Sequence, residues 1–382
     1  MNPVIIIGGG IGGISAALAL RHAGIDAHVY ERVAELREVG AGLGVWTNAM
    51  RVLDQLGVGD RVRTIARPLR IAEVASSTGK VLARTLIHEA VGDEDAANFI
   101  LHRADLHNVL LDALPKDALH LGAACSALQQ DDEGVTVSFG NGQTVRAAVV
   151  VGADGLHSVV RTQLWGEESL RYSGQTCYRG IAPIAPPEPQ LIREIQGPGL
   201  RAAICPMDDA RVYWWAAVNA PQGERDDPEQ RLATLLDAYA DWPFSLPEVI
   251  GATRGPILRN DLVDRAPRTR WGQGRVTLLG DAAHPMLPNL GQGACSAIED
   301  GLVLARNLLQ AGLSPDALRA YEHERLPRTT DFVRKSWTFG VPVQWSNPMA
   351  VWFREALMGA VPKSVLDKQI RAQTGFDVGP LR

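Results

Sequence analysis

A glycine-rich turn between a short apolar run and a helical segment limits the fold of this chain more than any other feature. Residues 4–7 are β-branched, which is typical of a buried parallel strand, and residues 14–21 are rich in alanine and leucine and predict a helix. The turn between them reads Gly8-x-Gly10-x-x-Gly13. In this pattern Gly8 permits a tight turn, Gly10 lets the backbone approach a pyrophosphate, and Gly13 lets the helix pack closely on the strand. The pattern predicts a Rossmann-like unit.

The next segment supports a dinucleotide at this turn. Residues 27–30 predict a second strand that ends at Glu31, whose carboxylate is placed to accept hydrogen bonds from a ribose. This favours an unphosphorylated adenosine, such as that of FAD or NAD. The free N–H groups of the first helix would face the phosphates. The alternative is a turn that merely joins two elements.

Composition narrows the class of protein. The 382 residues permit two or three lobes, and a net charge of -5 argues against nucleic acid as the main partner. Cys125, Cys177, Cys205 and Cys295 are scattered without metal-binding spacing, so we expect no metal site and a reducing compartment. Residues 4–20 are uncharged, but no basic region precedes them and glycines interrupt them. We expect a cytoplasmic protein without a transmembrane segment.

Two further motifs stand far from the first turn. One is Gly152-Ala153-Asp154-Gly155, followed by Arg161. The other is Gly280-Asp281, with the downstream segment 288–293. Asp281 follows an apolar run at its carboxyl end, where open α/β sheets bind ligands. A carboxylate there needs a partner, and the hydroxyl groups of a ligand are suitable. The alternatives that involve no ligand are a helix cap for Asp281, a capping turn for Asp154 and a surface cation for Arg161.

The predicted fold class is α/β, with interleaved domains. Residues 1–70, 101–175 and 271–330 predict a Rossmann-like domain that binds FAD. Residues 71–100 and 176–270 predict an antiparallel-sheet substrate domain, and residues 331–382 a helical segment. Locally, we expect a helix from about residue 102 to 114 with Asp105 as its N-cap. We also expect a hairpin of residues 135–139 and 145–151.

Together, the three motifs resemble those of single-component FAD-dependent monooxygenases of the p-hydroxybenzoate hydroxylase type (class A). The resemblance covers residues 1 to about 335. It implies that Asp281 binds the ribityl chain, that Arg103 approaches the pyrophosphate or ribityl region, and that Asp154 and Arg161 lie where flavin and nicotinamide meet. The full set of expected cofactor-binding residues is Gly8, Gly10, Gly13, Glu31, Arg32, Gly44, Arg103, Asp154, Arg161, Asp281, Pro288, Gly291, Gly293 and Ala294.

The resemblance also implies a reaction. NADH or NADPH would reduce FAD, O2 would form a flavin C4a-hydroperoxide, and one oxygen atom would pass to a planar aromatic or heteroaromatic substrate. The helix from Ala294 would stabilise the reduced flavin. Residues 40–48 resemble a glycine-rich loop beside the isoalloxazine, or else have no special role. His284 is expected to be structural rather than a base. The choice of nicotinamide, the general base, and a monomer or a homodimer stay open.

Arg201 and Tyr213, on successive predicted strands, are the expected catalytic residues. They match positions of FAD-dependent urate hydroxylases and quinolone 3-monooxygenases that bind and activate substrate, and the alternative is an exposed arginine and a core tyrosine. The segment 332–353 contains Trp337, Trp345 and Trp352; it predicts either helix packing or an apolar entrance. We favour a bicyclic or larger aromatic heterocycle over a small benzoate.

Rival functions are an epoxidase similar to zeaxanthin epoxidase and a non-catalytic flavin- or pigment-binding protein. A flavin-dependent halogenase is disfavoured because its Trp-x-Trp-x-Ile-Pro segment and lysine motif are not apparent. Substrate-stimulated oxygen uptake separates an enzyme from a binding protein, and product mass separates the reactions.

Overall fold

The computed structural model describes residues 2–36 and 40–382. Its strands, in chain order, are β1 (Val4–Ile7), β2 (Ala27–Tyr30), β3 (Gly42–Val45), β4 (Pro68–Leu69), β5 (Ile71–Ser76), β6 (Val81–Leu86), β7 (Asn98–His102), β8 (Leu119–His120), β9 (Cys125–Gln130), β10 (Val135–Phe139), β11 (Thr144–Ala147), β12 (Val149–Gly152), β13 (Arg171–Ala182), β14 (Leu191–Gln196), β15 (Leu200–Pro206), β16 (Val212–Asn219), β17 (Leu258–Asp264) and β18 (Val276–Leu278).

The helices connect these strands and form the carboxy-terminal part. They are α1 (Ile11–His22), α2 (Thr47–Gln55), α3 (Gly59–Ile65), α4 (Ile87–Val91), α5 (Arg103–Ala113), α6 (Val159–Trp165), α7 (Arg231–Ala238), α8 (Leu246–Gly251), α9 (Gly293–Ala311), α10 (Pro315–Gly340), α11 (Pro348–Gly359) and α12 (Lys363–Thr374). Single 3-10 turns occupy Lys116–Ala118, Gly280–Ala282, Pro288–Leu290 and Pro342–Gln344.

A five-stranded parallel sheet confirms the predicted Rossmann-like architecture. Its strand order is β18-β12-β1-β2-β8. All residues of β1, β12 and β18 are buried, as their continuous apolar sequences require when helices cover both faces. Ile7 lies opposite both Tyr30 and Gly152, and Gly152 lies opposite Leu278. Because these strands run in one direction and end in register, the segments that follow them meet at one edge of the sheet.

Helices α1 and α9 pack against each other through small residues. A Cβ built on Gly12 would lie 3.0 Å from the Cβ of Ala297, and one on Gly301 would lie 2.8 Å from the backbone nitrogen of Ala16. The contacts advance four residues along each helix in the same direction, so the helices are parallel. Their amino termini therefore point to the same edge of the sheet, where their dipoles add.

The second large sheet of the molecule has seven strands. Its order is β17-β13-β16-β15-β14-β5-β6, and all neighbours are antiparallel except β14 and β5. One face carries an apolar core with residues of α7 and α8, including Trp214 and Tyr239. The opposite face packs against the small sheet β3-β7-β4 through a cluster that contains Tyr213 and Ile100. This second face therefore lies toward the dinucleotide-binding part of the molecule.

Long helices follow α9, which agrees with the predicted helical carboxy-terminal segment. None of the helices in the described part of the chain combines the length and the apolar character that a bilayer-crossing segment needs. The described residues also contain no cluster of His, Cys, Asp or Glu suited to a metal ion. The proposed domain boundaries stay a prediction.

Three local predictions were wrong. The predicted strand 145–151 is divided at Ala148, because β11 completes the hairpin with β10 whereas β12 joins the parallel sheet beside β1. Asp105 is not the N-cap of α5, since the helix begins at Arg103 and the side chain of His102 accepts the hydrogen bond from Ala104 N. Residues 40–48 are not a loop, because β3 pairs with β7 and α2 begins at Thr47.

Candidate active site

The first turn at the carboxyl edge of the parallel sheet is tightly constrained. Gly8 has φ +111°, and a Cβ there would lie 2.4 Å from the carbonyl oxygen of Ala153. A Cβ on Gly13 would lie 2.0 Å from the carbonyl oxygen of Gly8. In contrast, a Cβ on Gly10 would meet nothing within 4 Å. Gly8 and Gly13 are therefore required by the fold, whereas Gly10 keeps space free in front of α1, whose N-terminus has no side-chain cap.

Glu31 faces this turn from the end of β2. Its carboxylate accepts hydrogen bonds from Gly9 N (2.7 Å) and Val33 N (3.1 Å). The next residue, Arg32, is exposed. On α5, His107 Nε2 lies 2.6 Å from the carbonyl oxygen of Gly9, a contact that the sequence analysis missed. Burial lowers the pKa of His107, although its bond to Gly9 opposes this. The turn is thus held from two sides while Glu31 retains free acceptor capacity.

Asp281 lies in the 3-10 turn after β18. Its side chain is accessible to solvent, yet protein surrounds it closely enough that burial raises the pKa of this carboxyl, against the lowering effect of His284 and Arg103. The carboxylate of Asp281 receives no hydrogen bond from the described residues. A Cβ on Gly293, at the start of α9, would lie 4.0 Å from Asp281 Oδ1. Asp281 therefore lies beside the α9 N-terminus, where its carboxylate is open to a hydrogen-bond donor from solvent or from a ligand.

Asp154 and Arg161 have structural partners. Asp154 accepts hydrogen bonds from Ser158 Oγ (2.5 Å) and Val159 N (2.7 Å), so the capping alternative for this residue is present in the structure. Burial raises the pKa of Asp154. Arg161 is buried rather than a surface cation; it pairs with Glu168 (2.7 Å) and donates to the carbonyl oxygens of Ala282 (2.9 Å) and Ala283 (3.1 Å). Arg161 thereby positions the turn that carries Asp281.

The glycines of the segment 288–293 make room for an indole. Trp46 Nε1 donates to Leu290 O (3.4 Å), and a Cβ on either Gly44 or Gly291 would lie within 2.7 Å of its ring. The N-cap of α9, Gln292, makes no capping hydrogen bond through its side chain, and the first turn of α9 has no acidic residue. Pro288 is exposed and Ala294 is partly exposed. The α9 N-terminus is therefore open to a ligand, and its contact with the cofactor stays a prediction.

A buried charge network beneath this edge was not predicted. Asp300 accepts hydrogen bonds from Arg325 Nε (2.7 Å) and lies 2.6 Å from His284 Nε2, while Glu299 binds Arg325 Nη2 (2.6 Å) and Asn48 Nδ2 (2.6 Å). All five residues are buried. The contact of His284 supports its predicted structural role. The one sequence signal was the pair Glu299-Asp300 inside an otherwise apolar helix, since buried charges need partners.

Arg201, on β15, is buried and reaches across to the 288–293 segment. Its Nη2 donates to Asn289 Oδ1 and to Gln175 Oε1 (3.2 Å), and its guanidinium carbon lies 5.3 Å from the ring centroid of Trp215. Its Nε has no hydrogen-bond partner among the described residues. The alternative of an exposed arginine was wrong. Its Nη1 lies 3.7 Å from Glu194 Oε1, so the guanidinium already has one anionic neighbour. The unpaired Nε leaves one donor for a further acceptor.

Tyr213 lies on the same face of the sheet as Arg201. The register pairs Arg201 with Ala217 and Tyr213 with Cys205, with Trp215 between the two side chains. Tyr213 belongs to an apolar cluster and packs so closely on Gly42 that a Cβ there would lie 2.1 Å from its ring. Burial raises the pKa of Tyr213 well above its usual value, so its phenol is neutral at neutral pH.

Comparison with known proteins agrees with this arrangement. The FAD binding domain family matches residues 1–336. The aurachin C monooxygenase/isomerase of Stigmatella aurantiaca is 38% identical over 375 residues, which covers 98% of each chain. The 2-heptyl-3-hydroxy-4(1H)-quinolone synthase of Pseudomonas aeruginosa is 33% identical over 94% of each chain. The crystal structure of Klebsiella pneumoniae HpxO with FAD and uric acid has a TM-score of 0.91 and 30% identity, and covers 100% of this chain and 98% of its own.

The fold, the open helix N-termini and the solvent-accessible Asp281 carboxylate fit a flavoprotein oxidoreductase. The chain belongs to the FAD binding domain family, and it is an FAD-dependent monooxygenase. The cofactor fits the residues present: Gly10 leaves space beside uncapped backbone N–H groups for phosphates, and Asp281 offers an acceptor to hydroxyl groups.

Proposed function

We propose that this enzyme hydroxylates a planar aromatic or heteroaromatic substrate in a reaction that depends on NADH or NADPH and on O2. When bound, FAD would supply the redox chemistry, namely reduction by the nicotinamide and oxygen transfer from the expected C4a-hydroperoxide. The observation that carries the proposal is the contact of Arg201 with Asn289. This contact joins the seven-stranded sheet, which is the expected substrate domain, to the 288–293 segment, which is expected to lie beside the flavin.

The protein's own contribution would be binding and orientation. The Arg201 guanidinium would hold an anionic or carbonyl oxygen of the substrate through its free Nε. Trp215 would offer an aromatic surface to a flat ring. Tyr213 would act as a neutral hydrogen-bond donor, because burial keeps its pKa high. A site of this kind favours a flat heterocycle that carries a polar oxygen at one end.

Two of the similar proteins support a fused heterocycle, whereas the 3-amino-4-hydroxybenzoate 2-monooxygenases of Streptomyces platensis, at 38% identity, are named for a single benzoate ring. HpxO was crystallised with uric acid, and the Pseudomonas aeruginosa relative is named for a hydroxyquinolone. Both compounds are fused nitrogen heterocycles that carry oxygen. We therefore propose a bicyclic nitrogen heterocycle in preference to a single benzoate ring.

The experiment is a screen of purines, quinolones and aromatic acids against the FAD-loaded enzyme, with NADH and NADPH in turn. The expected result is substrate-stimulated oxygen uptake and a product heavier by one oxygen atom. No stimulation by any planar aromatic compound would contradict the proposal. A product that bears an epoxide would replace hydroxylation by the rival reaction.

The Arg201→Ala variant tests the substrate site once a substrate is known. We expect KM to rise about 10- to 100-fold, because the loss of one charged hydrogen bond costs about 1.5–3 kcal/mol. Alternatively, nicotinamide oxidation becomes uncoupled from hydroxylation. In both cases FAD stays bound. Arg193→Ala is the matched control, because Arg193 is a buried arginine of the neighbouring strand that pairs with Glu73. Unchanged coupled turnover in Arg201→Ala would remove this residue from the site.

A further inference from the structure

The large exposed apolar side chains of this protein are concentrated in one segment. Among the described residues, every large hydrophobic side chain that is more than half exposed lies between residues 341 and 365. A contiguous exposed apolar patch marks an interaction surface, whereas single exposed apolar residues are normal. The segment is therefore a candidate docking surface.

Helix α11 carries the centre of this patch. Met349 is 81% exposed, Trp352 71%, Phe353 56% and Leu357 59%. Their spacing of three and four residues places them on one stripe of the helix. The opposite side is anchored to the protein, because Arg354 is buried and donates to the carbonyl oxygens of Pro342 (3.2 Å) and Val343 (3.0 Å). We call these four exposed residues the α11 stripe.

The charge of the surrounding segment differs in sign from that of the whole chain. Residues 331–382 contain seven Lys and Arg and four Asp and Glu, although the chain has a net charge of -5. On α12, Lys368 and Arg371 are exposed, while Lys363 pairs with Glu89. Helix α12 begins four residues after α11 ends. A Trp- and Phe-bearing apolar stripe, followed in the chain by a helix with exposed basic residues, resembles the pattern of segments that lie in a lipid interface.

We propose that the α11 stripe docks the enzyme on the surface of a membrane that contains anionic lipids. The apolar side chains would enter the headgroup region, and the exposed cations Lys368 and Arg371 of α12 would be attracted to the lipid charge. A second copy of this chain is a less favourable occupant. A twofold contact through the stripe would bring two basic segments together, and like charges across an interface are unfavourable.

A series of hydrogen bonds links the helix that carries the α11 stripe to the candidate active site. The turn that Arg354 holds continues to Gln344, whose Nε2 donates to Gly199 O (3.1 Å) and Ala217 O (3.3 Å). Gly199 directly precedes β15, the strand of Arg201. A docked molecule would thus hold the candidate active site near the lipid surface. This consequence rests on the proposed function, whereas the docking itself does not.

The test is co-sedimentation of the FAD-loaded full chain with vesicles of phosphatidylcholine alone and of phosphatidylcholine with phosphatidylglycerol. We expect binding to the vesicles that contain phosphatidylglycerol, weakened by salt. The double variant Trp352→Ser/Phe353→Ser should bind at least 10-fold more weakly, since two large side chains no longer leave water. The control Leu309→Ser changes an exposed leucine of α9 and should bind as the unmodified enzyme does.

Retained flavin absorbance reports that the variants fold, and sedimentation velocity without vesicles reports self-association. Absence of binding to anionic vesicles overturns the proposal. Equal binding of the double variant also overturns it, because the stripe would then not be the contact. Self-association that the double variant abolishes, without vesicle binding, would assign the stripe to a second copy instead.

Discussion

Individual residues at the carboxyl edge of the parallel sheet divide into those that the fold requires and those that we propose serve a ligand. Gly8 and Gly13 belong to the first group, because a Cβ at either position would overlap backbone atoms. Gly10 and Asp281 belong to the second group. Gly10 has open space in front of it, and Asp281 has a carboxylate that no described residue satisfies with a hydrogen bond. Substitutions at these two positions can therefore separate cofactor binding from stability.

Gly10→Ala is expected to fold normally but to bind FAD at least 10-fold more weakly. The backbone of Gly10 has φ -76° and ψ 179°, which alanine adopts without strain, and its Cβ would meet only the space proposed for the pyrophosphate. Fluorescence titration with FAD and urea unfolding of the apoprotein measure the two effects. Gly359→Ala is the matched control, because its Cβ also meets nothing within 4 Å. Unchanged FAD affinity in Gly10→Ala would place the phosphates elsewhere.

Asp281→Asn is expected to weaken FAD binding about 10- to 100-fold, because a hydrogen bond to a charged acceptor contributes about 1.5–3 kcal/mol. It should not destabilise the apoprotein. Burial raises the pKa of Asp281 in the folded protein above its value in the unfolded chain. Ionisation of Asp281 therefore lowers the stability of the folded protein. This loss grows as the pH rises from the unfolded pKa to the folded pKa. Chemical unfolding of both apoproteins at pH 7 is the measurement. A clear loss of stability in the variant would show that Asp281 has a structural partner.

Among the elements, α9 has two roles. Its open amino terminus faces the proposed cofactor site, and its middle carries Glu299 and Asp300, which bind Arg325 of α10. Burial raises the pKa of Asp300, but the charges of His284 and Arg325 outweigh this effect and lower it overall. The ion pairs therefore fix the position of α9 relative to the turn of Asp281, through the contact of Asp300 with Gly280 N (3.1 Å).

Asp300→Asn is expected to reduce the free energy of unfolding by about 3–5 kcal/mol at pH 7, because it leaves the buried Arg325 short of an anion. Since the folded pKa of Asp300 is lowered, the stability from its ionisation is complete above its unfolded pKa of about 3.9 and is lost as the pH falls through the folded value. Urea unfolding from pH 7 to pH 3 should show the gap between the two proteins narrowing only below about pH 4. A gap that stays constant with pH would contradict this assignment.

The sequence predicted the elements that local chemistry determines. The glycine pattern, the strand that ends at Glu31 and the strand before Asp281 each carry their signal within a few residues, and the structure contains all three. It could not predict contacts that depend on tertiary packing. Residues 40–48 are rich in glycine, yet residues 42–45 form a strand, because β3 pairs with β7 and Gly42 lies against the ring of Tyr213, both of which are distant in the chain.

In the whole molecule, the candidate site is formed where two independent sheets face each other. The parallel sheet and the two parallel helices α1 and α9 supply the dinucleotide edge, and the seven-stranded sheet supplies Arg201, Trp215 and Tyr213. Asn289 is where the two parts touch, because it accepts from Arg201 and donates to Ser336 O (2.7 Å). The sequence indicated both halves of this site but not Asn289, because its partners lie far away in the chain.

The account depends on one FAD molecule that lies along this edge, and a crystal structure of the FAD-loaded protein measures this directly. We expect the adenosine ribose within hydrogen-bonding distance of Glu31 and a ribityl hydroxyl within hydrogen-bonding distance of Asp281. The flavin ring should lie beside the 288–293 segment, on the side of that segment from which Arg201 contacts Asn289. An FAD whose ribityl chain lies away from Asp281, or whose ring lies away from the 288–293 segment, would contradict the account.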